Sequence, residues 1–79
     1  MRVDIFLKNS RIIKRRTVAK LACEGGRVKI NEKTAKPGDD VKIGDIISVV
    51  FGEKEYKYKV KKILETQSKS NMEEMVEVI

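Results

Sequence analysis

The sequence predicts a small α+β fold, with two short N-terminal helices packed on one side of a small antiparallel β-sheet. Three observations carry that expectation. Apolar residues recur at i, i+3 and i+4 twice before Gly25, the period of a helical face. From Arg27 the period changes to two, that of a half-buried strand. Turn signals then recur at short intervals, so the strands are joined by short turns and the helices group at one side of the sheet.

Val3, Phe6 and Leu7 form the first helical face. Asp4 stands four residues before Lys8, the favourable order for a helical ion pair worth about 0.2–0.5 kcal/mol. A helix over residues 2–9 follows, ended by Asn9 and Ser10. Arg11 to Arg16 connects it to the next, and Ile12 and Ile13 are expected to be partly buried and to anchor that connection. Thr17 suits an N-cap. Val18, Leu21 and Ala22 repeat the helical spacing, so the second helix covers residues 17–24 and buries that set. Gly25-Gly26 offers the positive φ that ends a helix, and Cys23 reads as a small buried hydrophobe.

Val28 and Ile30 alternate with Arg27, Lys29 and Asn31, which describes a strand. Asn31-Glu32-Lys33 is a turn into a short return strand at Thr34-Ala35, and Pro37-Gly38-Asp39-Asp40 is a second turn. Val41 and Ile43 lead to the Gly44-Asp45 turn and an apolar strand from Ile46 to Phe51. Beyond the Gly52-Glu53 turn, Tyr56, Tyr58 and Val60 alternate with Lys57, Lys59 and Lys61, giving one apolar and one basic face with the tyrosines in the core. Glu65 to Asn71 is polar and expected to be mobile. Met72, Met75, Val76 and Ile79 fit a helix and Val76 and Val78 fit a strand. The valine-rich end favours a closing strand at 75–79. Residues 1–79 are expected to form a single domain, with a core of 1–51 and C-terminal strands and tail over 52–79.

The net charge of +6 lies in residues 1–20, which hold seven basic side chains and one acid; the remainder is neutral. A domain with one basic end is addressed to a polyanion. The candidate contacts are Arg2, Lys8, Arg11, Lys14, Arg15, Arg16 and Lys20. Four of them crowd the inter-helix connection, where outward backbone amides at the start of the second helix also favour anions. Arginine pairs bidentately with phosphate, and lysine adds point charge.

Other classes are disfavoured. There is no histidine, and Ser10, Ser48, Ser68 and Ser70 have none to activate them, so an enzyme is not expected. One cysteine and no histidine leave no metal site or intramolecular disulfide to expect, and no cofactor is implied. A lone cysteine fits a reducing, cytoplasmic location. No apolar run approaches the length of a membrane helix, and only Phe6 offers a bulky aromatic for membrane-surface binding. A DNA-reading helix-turn-helix is disfavoured because the second helix is short and presents only Lys20 and Glu24 to bases.

Arg2-Val3-Asp4, Phe6-Leu7, Arg11, Arg16, Ala19, Gly26, Val28, Asn31, Pro37, Val41 and Gly44-Asp45, in this order and spacing, resemble the RNA-binding domain named after ribosomal small-subunit protein four. The resemblance covers residues 1–51, about two-thirds of the chain. Its length makes the chain similar to the stand-alone RqcP group and to the small heat-shock ribosome-binding relative. The resemblance implies a non-enzymatic binder of ribosomal RNA and tRNA on the large subunit, and a monomer is expected. Such a protein stabilises peptidyl-tRNA during quality control of stalled nascent chains, beside an RqcH-type alanine-tailing factor. It also implies RNA contact by Arg2, Arg11 and Arg16, and an orienting role for Asp4 toward a neighbouring arginine. The family often has Asn-Gly in the first hairpin, where this chain has Asn31-Glu32. A general rRNA binder or protein-docking assembly module is the competing expectation, with a DNA-binding regulator behind it.

Overall fold

The two helical periods and the switch to period two become, in a computed structural model describing residues 1–65 and 70–79, two helices followed by an antiparallel sheet. Helix α1 (Val3–Asn9) buries Val3, Phe6 and Leu7 and ends at Ser10, as its sequence predicts. Ile13 is buried and Ile12 half-buried, so the connection after α1 is anchored.

Helix α2 (Arg16–Glu24) corrects two expectations. Thr17 is its second residue, not its N-cap; Arg15 holds that position, and no side chain caps the helix. Its buried face is Ala19, Ala22 and Cys23, while Val18 and Leu21 are 47% and 65% exposed. The buried set keeps the same i, i+3, i+4 spacing one residue on. Size explains the rotation: α2 packs on α1, and small side chains let two short helices approach closely. Burial pushes the Cys23 thiol up to about 11, with smaller contributions from Asp4, Asp39 and Glu24, so it is a neutral packing group at physiological pH. The stop is the predicted one. Gly26, at φ 75°, donates its N–H to the Cys23 carbonyl, and Arg27 donates to that of Ala22, the paired bonds of a Schellman cap.

The sheet runs β2-β1-β3-β4-β5, all neighbours antiparallel. Its strands are β1 (Val28–Ile30), β2 (Lys33–Thr34), β3 (Ile46–Phe51), β4 (Lys54–Val60) and β5 (Val76–Val78). The return strand is one residue earlier than Thr34-Ala35 because Asn31-Glu32 is a two-residue turn that pairs Ile30 with Lys33. Val28 faces Val49, and Ile47 faces Tyr58, so one face carries Val28, Ile47, Val49, Tyr58 and Val60 into a core shared with α1 and α2. Lys29, Ser48 and Lys57 line up across the other face, as the alternation in β4 predicts. Tyr58 is core at 6% exposure, but Tyr56 is 39% exposed, tilted against Phe51 with ring centroids 5.8 Å apart. Tyr56 lies toward the hairpin end, next to exposed Phe51 and Lys54, where the core no longer covers the sheet.

At the C-terminus both expected patterns occur in succession: helix α3 (Asn71–Met75) leads directly into β5, which pairs with β4. Asn71, placed by its composition in a mobile segment, is buried instead, because its amide is bonded to the end of α1. Glu65 and Ser70 are exposed, and residues 66–69 of that expectation lie outside the described residues.

The β1–β2 turn has Asn31 at φ 50° and Glu32 at φ 72°, the two positive values of a type I′ turn. Asparagine tolerates this region, whereas glutamate is strained there by about 1 kcal/mol. Glu32 also meets Lys57 at 3.3 Å, an exposed pair of small worth. Glu32→Gly is therefore expected to raise stability by about 0.5–1 kcal/mol, a Tm increase of about 2–8 °C. An unchanged or lower Tm in thermal unfolding would contradict the strain argument.

Candidate nucleic-acid interface

The N-terminal segment is fixed before its side chains act. Val3 N–H donates to the Asp39 carbonyl at 2.8 Å, Asp4 N–H to that of Pro37 at 3.3 Å, and Val41 N–H to that of Met1 at 2.9 Å. The Pro37-Gly38-Asp39-Asp40 turn and Val41 after it thus hold residues 1–4 in place, with Arg2 bridged to Asp40. Asp40 receives the Met1 ammonium at 2.8 Å, which lowers its carboxyl below the ordinary range. The neighbouring acids serve turns: Asp39 accepts from Lys36 N–H, and Asp45 from Lys42 N–H, each at 2.9 Å.

Asp4 is fully buried and organises two arginines. Arg2 donates from Nε and Nη2 to its two carboxylate oxygens at 3.2 and 3.1 Å, a bidentate pair. Arg16 Nε lies 3.6 Å from Oδ2, and Ile5 N–H donates to Oδ1 at 2.8 Å. A buried carboxylate flanked by two half-exposed guanidinium groups leaves the outward N–H groups of both arginines for another anion. Arg2, Asp4, Arg16, Thr17 and Lys20 line one depression of about 360 Å³. Thr17, expected to cap α2, is a wall of it.

The start of α2 adds to this field. Arg15 and Arg16 occupy its N-cap and first position, the first turn holds no acid, and no side chain caps its N–H groups. Cations there oppose the helix dipole. Their placement favours a nearby negative group, and Asp4, 3.6 Å from Arg16 Nε, is one such group.

The structure therefore gathers three of the seven candidates, Arg2, Arg16 and Lys20, in one depression. Arg11, Lys14 and Arg15 are exposed along the α1–α2 connection and form no ion pair among the described residues. Lys8 is half-buried on α1. Sequence reasoning missed the exposure of Val18 and Leu21 beside these cations; the alternative Ala19-Ala22-Cys23 period was the available signal. Among the described residues, no group of three or more metal-ligating side chains is placed to hold an ion, and no helix is long and apolar enough to cross a membrane.

A pair of short helices that presents ordered arginines beside a small antiparallel sheet defines a nucleic-acid-binding module. Comparison with known proteins agrees. The S4 domain family matches residues 1–47. The RQC P-site tRNA stabilizing factor of Listeria monocytogenes is 47% identical over 79 residues, covering 100% of this chain and 86% of the relative. That of Bacillus subtilis is 43% identical, covering 100% and 92%. The trimeric structure of Vibrio cholerae Heat Shock Protein 15 superposes with a TM-score of 0.91 at 29% identity, covering 100% of this chain and 81% of the other. The chain belongs to the S4 domain family and, within it, to the RQC P-site tRNA stabilizing factors.

Proposed function

We propose that this chain binds ribosomal RNA and tRNA on the large ribosomal subunit and holds peptidyl-tRNA in place during quality control of stalled nascent chains. One observation carries the reading: the Asp4-organised cations stand in a chain that aligns over its whole length with relatives named for stabilising P-site tRNA. The contacts are Arg2, Lys8, Arg11, Lys14, Arg15, Arg16 and Lys20, presented by one domain spanning residues 1–79. A small basic domain gains little from one RNA surface. Contacting rRNA and tRNA together makes the second engagement effectively intramolecular. By reciprocity, the protein holds the tRNA more tightly by the same coupling free energy. The mechanism needs no catalysis, and a chain without histidine is suited to it. We take the protein to be cytoplasmic and to act as a monomer beside an RqcH-type tailing factor.

The test compares binding to empty large subunits with binding to subunits carrying peptidyl-tRNA at matched salt. Tighter binding to the loaded subunit is expected. Equal affinity would leave a general rRNA binder. Repeating the titration across salt concentrations should give log K against log salt a slope of about −3 to −5, as expected if about four to six phosphates are neutralised. A slope near zero would remove the electrostatic basis of the reading.

A further inference from the structure

The last four carbonyls of a helix have no following turn of their own to bond them. At the end of α1 all four are occupied. Ser10 N–H donates to the Phe6 carbonyl at 2.9 Å, Ile13 N–H to that of Leu7 at 3.1 Å, and Arg11 N–H to that of Lys8 at 3.0 Å. The fourth partner comes from the far end of the chain: Asn71 Nδ2 donates to the Asn9 carbonyl at 2.8 Å, across 62 positions of sequence. The Asn9 side chain returns the tie, donating Nδ2 to the Leu64 carbonyl at 3.2 Å. Asn71 is 1% exposed and lies beyond residues 1–47, the stretch that matches the family.

Arg11, two residues after Asn9, sits at φ 65°. A non-glycine residue there is strained, and such a conformation persists only where its surroundings over-determine it. The bonds around the end of α1 are those surroundings. Arg11 is exposed and opens the connection that carries Lys14 and Arg15.

We propose that Asn71 is a positioning residue for RNA binding: it ties the C-terminal segment to the end of α1 and holds Arg11 and the basic connection in the conformation that meets phosphate. The inference rests on the RNA-binding reading of that connection. Its physical content is preorganisation. A connection whose backbone is already held in place loses less freedom on binding.

The test measures binding to large ribosomal subunits well below the unfolding midpoint. Asn71→Ala is expected to weaken binding by about two- to tenfold, with the salt slope unchanged because the same phosphates are met. In an Arg11→Ala background the Asn71→Ala effect should shrink, since Asn71 acts through Arg11. Unchanged affinity in folded Asn71→Ala, or an undiminished effect in the double variant, overturns the proposal. Hydrogen exchange on the unmodified protein keeps it testable if Asn71→Ala does not fold. The Arg11 and Ile13 amides should be protected, and exchange at open-loop rates would overturn it. Should Arg11→Ala weaken binding while Asn71→Ala does not, only the positioning role falls. No loss from removing Arg11, Lys14 and Arg15 together would instead refute the RNA-binding reading of the connection.

Discussion

Tyr58→Ala is expected to lose about 2–4 kcal/mol of stability while leaving RNA affinity intact in the protein that remains folded. Tyr58 faces Ile47 on β3 and Val78 on β5, so its ring joins the central strands to the C-terminal edge. Burial, and then Tyr56, raise the pKa of its phenol, which stays neutral under physiological conditions. Against a typical domain stability of about 5–15 kcal/mol, the loss is large. Tyr56→Ala should matter less, about 0.5–1.5 kcal/mol, because it removes a partly solvated contact with Phe51. Denaturant unfolding of both variants checks the ordering. If Tyr58→Ala kept its stability yet lost RNA binding, the ring would be a base-stacking platform.

Arg16→Ala is expected to weaken subunit binding by about 1–3 kcal/mol, the range for losing a charge-assisted hydrogen bond, under the proposed RNA reading. The accompanying loss of stability should stay below about 1 kcal/mol. Its side chain is 50% exposed and touches Asp4 at 3.6 Å, so solvent screens the pair. Asp4 keeps its bidentate partner Arg2, and removing a cation from the first turn of α2 relieves an unfavourable dipole contact. Binding and melting measured on the same preparation separate the roles. Equal losses in both would make Arg16 a brace for the fold.

The sequence alone was enough to place both helices, their stops, the β3–β4 hairpin and the basic end. Each of these is set by local chemistry. A 3.6 or 2 period declares which residues share a face, Gly26 and Gly52 adopt positive φ at their turns, and charge can be counted without coordinates. The ambiguous C-terminus was legible as two overlapping patterns, which the chain uses one after the other in α3 and β5.

Tertiary structure decided whatever depended on distant partners. Val18-Leu21-Ala22 and Ala19-Ala22-Cys23 fit the same helical period, and only the packing of α2 on α1 chose the smaller set. Thr17 lost its capping role because the helix begins at Arg16, beside Asp4. Composition made Asn71 look solvated; a carbonyl at the end of α1 made it core. Tyr56 and Tyr58 alternate identically in sequence, yet only Tyr58 is covered by core, since cover is supplied from outside the strand. The same holds for the candidate site. Its cations could be counted along the chain, but the meeting of Arg2 and Arg16 on one buried carboxylate required the fold, because their separation in sequence carries no information about their separation in space.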